Sequence, residues 1–154
     1  MIKPRDFLRY FLYSYIVTSA QLLGDKAPTL RRMVCKNVVK ALLREHPELK
    51  DAEPVELVKD VAESFLGADV RIEEKSTETV VHVRGCKICP RDLIEEFTGE
   101  NPDLEGPVFS YNVCAFVTMV EEILHALGHI DSDIKHDPIK RGRCRVIVRP
   151  KGTD

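Results

Sequence analysis

The chain has 154 residues, of which 44% are hydrophobic and 31% charged, with a formal net charge of −2. That is the length of one ordinary domain, with enough apolar residues to bury its own core, and it excludes a disordered chain. The small negative charge excludes a general electrostatic pull toward nucleic acid or an anionic membrane.

Lys3 and Arg5 precede an apolar run, Phe7 to Val17, that superficially resembles a secretory signal. Arg9 interrupts it, and it is too short to cross a bilayer as a helix. The expectation is a buried first helix, opened by Pro4 and Asp6 and stopped at Gly24. A second helix starts at Pro28, with Leu30, Met33, Val34, Asn37, Val38, Ala41 and Leu42 at helical spacing and Cys35 beside that stripe. A third follows Glu53-Pro54, carries Leu57, Val58, Val61, Ala62 and Phe65, and ends at Gly67. The period then changes to that of strands at Val70–Ile72 and Thr79–Arg84, around a turn at Lys75–Glu78. Pro90 to Glu96 is expected as a short helical turn and Gly99 to Pro107 as loop. Ser110 or Asn112 caps a fourth helix, Val113 to Leu127, stopped at Gly128. Two strands close the order, Ile130–His136 and Arg143–Arg149, joined by the six residues Asp137 to Gly142. The basic residues Lys140, Arg141, Arg143, Arg145, Arg149 and Lys151 are expected on the solvent face of a strand. The fold class is therefore α+β in one domain, 1–154. Three N-terminal helices plus one inserted helix pack on a four-stranded antiparallel sheet.

A cytoplasmic location follows from the absence of a signal or a span, and there five cysteines are expected free or metal-bound. Cys86-x-x-Cys89 ends a strand and can hold one zinc ion from a tight turn. A redox motif would instead open a long helix in a βαβ unit. Cys114 lies in the first turn of the fourth helix, where unpaired backbone N–H groups favour a thiolate. Strand alternation turns Cys144, Val146 and Val148 to one side, opposite Arg143, Arg145 and Arg149. It also turns Ile134 and His136 to one side, so Cys144 and His136 both face inward. His46, His82, His125 and His129 have no such company.

The stretch Cys114-Ala115-Phe116 to Leu127-Gly128, then His136 and Cys144-Arg145-Val146-Ile147-Val148-Arg149-Pro150, resembles the 4-vinyl reductase domain. Cys86 and Cys89 match an earlier cysteine pair in that family, and Ala27 to Arg32 with Ser14-Tyr15 resembles its archaeal members. His136 stands where the family has a cysteine, and Asp133 where it has a liganding glutamate. Asp133 is shorter and falls on the face opposite His136. The resemblance implies a fold shared with vesicle-tethering and haem nitric-oxide-sensing proteins and a cavity for small aromatic or hydrocarbon ligands.

Together these readings predict a zinc-binding, small-molecule-binding domain working as a homodimer, with Cys86, Cys89, Cys114, His136 and Cys144 as metal ligands. An all-thiolate iron–sulfur cluster is the alternative to zinc. The alternative functions are an enzyme or enzyme accessory of the vinyl-reductase type, and an adaptor protein. No Gly-rich nucleotide loop or His-Glu-x-x-His motif supports an enzyme.

Overall fold

A computed structural model of the chain describes residues 1–110, 113–129 and 132–150. The first helix, α1 (Pro4–Leu23), opens with Pro4 in its first turn, and the Lys3 N–H donates to Asp6 Oδ2 at 2.9 Å. Its fully buried residues, Ile16, Val17, Ser19 and Ala20, lie in the second half, whereas in the first half Leu8 and Leu12 are half-buried and Phe7, Tyr10 and Phe11 are exposed. The expected buried first helix is thus a half-buried one.

The second helix, α2 (Ala27–Glu45), corrects the sequence reading more sharply. Its buried face is Ala27, Arg31, Cys35, Val39 and Leu43. The apolar positions Leu30, Met33, Val34 and Val38 are exposed. Periodicity reports that a helix has faces, but not which face meets the core. Here the face that carries Cys35 and Val39 packs on α6, and the more apolar stripe is left outside. The third helix, α3 (Pro54–Val61), runs into a π turn, Ala62–Leu66, that ends at Gly67. Gly67 has φ +59, and a Cβ there would stand 2.8 Å from the Arg5 guanidinium, so glycine serves both the left-handed cap and the close packing of Arg5.

Strands β1 (Asp69–Glu74) and β2 (Thr79–Arg84) form a hairpin. They are followed by α4 (Arg91–Glu100), α5 (Glu105–Phe109) and α6 (Ala115–Ala126). β3 (Ser132–Lys140) and β4 (Arg143–Pro150) complete an antiparallel sheet of order β1-β2-β4-β3. Val81, Val83 and Val146 of the sheet share one core with Val39, Leu57, Phe116, Val120 and Ile123 of the helices. A second, smaller core of Ile16, Ala20, Ile94 and Val108 joins α1 to α4 and α5.

Three boundaries differ from the sequence reading. The short turn after Pro90 is a ten-residue helix, because Ile94 and Thr98 bury one face and tertiary contact outweighs Gly99. The expected loop from Gly99 to Pro107 holds a 3-10 turn, Pro102–Leu104, and α5. The expected six-residue connection is a two-residue turn, Arg141-Gly142, because β3 continues to Lys140 through a bulge between Pro138 and Lys140. β3 is an edge strand, where a proline without an N–H is tolerated. Asn112, Ile130 and Lys151 lie outside the described residues.

Candidate functional site

Four separate segments bring the predicted ligands to one place. Cys86 leaves β2 just past Gly85, and its N–H donates to the Gly142 carbonyl at 2.9 Å. Gly142 has φ +76, and a Cβ on it would press to 3.3 Å from the Cys86 carbonyl oxygen. The β3–β4 hairpin tip therefore closes directly over the Cys86–Cys89 turn. Lys87 N–H donates to the Leu66 carbonyl at 2.8 Å, tying the same turn to the end of the π turn. Cys144 stands between Val83 of β2 and Pro138 of β3, with Arg143 and Arg145 exposed on either side of it. Asp137 and Glu78 pair with Arg145 and Arg149, as expected of a solvated strand face.

His136 is half-buried, but it lies opposite Val146, so it is a diagonal neighbour of Cys144 rather than its partner across the ladder. Diagonal positions are about 7–8 Å apart. Asp133 is exposed, on the face away from His136. Cys114 is the N-cap of α6 (φ −70, ψ 123), one position before the first turn where the sequence placed it.

All five residues, Cys86, Cys89, Cys114, His136 and Cys144, line a single cavity of about 370 Å³. Its other walls are mostly apolar: Leu12 and Ile16 of α1, Phe65 and Leu66 of the π turn, Val83, Ile88, Ile94 and Phe116. Among the described residues, no three His, Cys, Asp or Glu side chains are drawn together tightly enough to hold a metal ion. All five cysteines are free thiols.

The electrostatics separate this cluster from a reactive-thiol site. Burial pushes the Cys86 thiol up to about 11, and Cys114 and Cys89 add to the effect. Burial likewise raises Cys114 to about 11, overcoming the Val117 and Phe116 N–H groups that favour its thiolate. The helix-start activation expected from the sequence is therefore outweighed by desolvation. Cys144 rises to about 12 through burial and then through Cys114, Cys86 and Cys89. These thiols are neutral at pH 7 and poor nucleophiles, and they are near enough to oppose one another's ionisation. Burial also lowers the pKa of His136, with Arg91 acting in the same direction.

Arg9 is a residue whose role the sequence did not disclose. From α1 it reaches Asp92 Oδ1 and Oδ2 at 2.6 and 2.7 Å through Nη2, and the Cys89 carbonyl at 3.1 Å through Nε. It clamps the second cysteine of the pair to the helical layer. An arginine inside an apolar helical run was the available signal. Its partners 80 and 83 residues away were not legible.

Cys35 lies apart from the cavity, buried on α2 with its thiol directed to the Ala115 carbonyl at 3.8 Å. A second, more open hollow of about 400 Å³ lies along α1 and touches Phe11 and Tyr15, two of its five N-terminal aromatics. Among the described residues, no helix is long and apolar enough to cross a membrane. No family model, curated protein or solved structure matches this chain.

Proposed function

We propose that this domain binds a small apolar molecule in the 370 Å³ cavity, and that a zinc ion held by its cysteines braces the cavity wall. The observation that carries the reading is that Cys86, Cys89, Cys114, His136 and Cys144 all line one mostly apolar cavity. Cavities of this size and lining are the usual form of a small-molecule site. Thiols of Cys86, Cys114 and Cys144 that oppose one another's ionisation are stabilised as thiolates by a shared cation. Among the described residues no three of these side chains stand together as a metal group, so zinc would have to draw the cysteines together, with His136 as the alternative fourth ligand. Four protein ligands close a zinc site, which makes the metal structural and not catalytic. The resemblance to the 4-vinyl reductase domain, with its ligand cavity and helix-on-sheet layering, supports the same reading.

The homodimer belongs to this proposal. Phe7, Phe11, Leu22, Met33 and Val38 are exposed along α1 and α2, and such apolar surface is commonly covered by a partner. Native mass spectrometry of the purified chain tests metal, ligand and oligomer together. The expected spectrum holds one zinc per chain, a dimer and a small co-purified mass. A spectrum with no metal, and none gained on adding zinc, would sink the metal site. Four irons with sulfide would replace zinc by a cluster on the all-thiolate set.

A further inference from the structure

We propose that the molecule held in this cavity carries a carboxylate head on its apolar body, and that Arg91 recognises that head. The inference names the ligand class of the site proposed above and rests on that reading.

Arg91 opens α4 and lines the cavity. Its Nε donates to Glu95 Oε1 at 2.8 Å, while its Nη1 is buried without an acceptor. A guanidinium has donors only, so the open Nη1 requires an acceptor from elsewhere. Glu95 engages Nε and leaves Nη1 open, although the Arg91 side chain as a whole is 35% exposed. Lys140 and Arg143 flank the hairpin tip at the rim of the same cavity with their side chains exposed, and neither has an ion-pair partner among the described residues. Among the described residues, Glu95 is the only acidic residue on the lining.

The cavity has a sulfur region, an apolar body and a basic edge that includes Arg91. One open buried donor matches a monovalent planar head, and apolar walls match a hydrocarbon or aromatic body.

Isothermal titration calorimetry of octanoate and octanol against the zinc-containing full chain tests this, with the variants Arg91→Met and Arg91→Lys. The two probes share a chain and differ in the head. Octanoate is expected to bind the wild type roughly tenfold or more tighter than octanol, from a hydrogen bond to a charged group. Arg91→Met should erase that preference with zinc content unchanged, and Arg91→Lys should keep part of it. Equal binding of the two probes would overturn the inference while leaving the cavity reading in place. Binding of neither would sink the cavity reading and this inference with it. A preference that survives in Arg91→Met would overturn the role given to Arg91.

Discussion

Replacing Arg9 by methionine keeps the apolar stem against α1 and removes the clamp on the Cys86–Cys89 turn. The lost contacts are two charge-assisted bonds to Asp92, at 2.6 and 2.7 Å, and one to the Cys89 carbonyl at 3.1 Å. A hydrogen bond to a charged group contributes about 1.5–3 kcal/mol and a neutral one about 1 kcal/mol. Arg9 is only 12% exposed, but Asp92 is 41% exposed and keeps Arg141 at 3.2 Å. Solvent screening therefore places the ion pair at the low end of that range. The expected total is roughly 2–3 kcal/mol, which lowers the melting temperature by about 5–10 °C in a chain of this length. Urea unfolding measures the first figure and calorimetry the second, and zinc release to a chelator should quicken as the Cys89 turn loosens. Acid provides an independent check. Burial opposes the charged form of Asp92, but the hydrogen bonds and charge of Arg9, with Arg141, outweigh it and hold the carboxyl below its ordinary value. A carboxyl depressed in the fold stabilises above its unfolded pKa of about 4 and loses that contribution as pH falls through the folded value. The gap between wild type and Arg9→Met should be full at neutral pH and shrink below about pH 4. A change under about 0.5 kcal/mol at pH 7, within the range of ordinary surface substitutions, would refute the reasoning.

Three further outcomes are expected. Cys144→Ser should lower zinc content and thermal stability together, whereas Cys35→Ser should leave zinc content unchanged; elemental analysis of both variants decides this, and equal metal loss in the two would be the contrary result. Phe116 is fully buried in the main core, so Phe116→Ala should cost about 3–5 kcal/mol in urea unfolding. Arg31 is buried with Nε and Nη1 unpaired and only Nη2 bonded, to the Ser110 carbonyl at 2.9 Å. Arg31→Met should therefore change stability by less than about 1 kcal/mol or raise it, and a loss above about 3 kcal/mol would show that the guanidinium is well compensated.

Local signals carried much of the layout. Pro4, Pro54, Gly24 and Gly67 marked helix ends because proline fits a first turn and glycine a cap at positive φ. Alternation set Cys144 and His136 inward and Arg143 and Arg145 outward, since side chains in a strand have a period of two whatever the partner. The inward parity of these two candidate ligands and the element-end places of Cys86, Cys89 and Cys114 were readable for the same reason, since both are local properties.

What lay beyond local reading depended on partners distant in the chain. The apolar stripe of α2 was legible as a stripe, yet the face that packs is Ala27, Arg31, Cys35, Val39 and Leu43, chosen by close approach to α6. α5, the full length of α4 and the continuation of β3 past Pro138 were settled by burial and by an edge position, against the local preferences of Gly99, Pro107 and Pro138. The ionisation of Cys114 was likewise decided in three dimensions, where burial outweighs the helix N–H groups that sequence position supplied. The sequence by itself determined the element types, the strand parity and the supply of thiols. Tertiary structure alone decided which helix face is covered, which arginine clamps the cysteine turn, and that the thiols border an apolar cavity. Periodicity is a property of each segment, whereas desolvation and long-range pairing belong to what the segments meet.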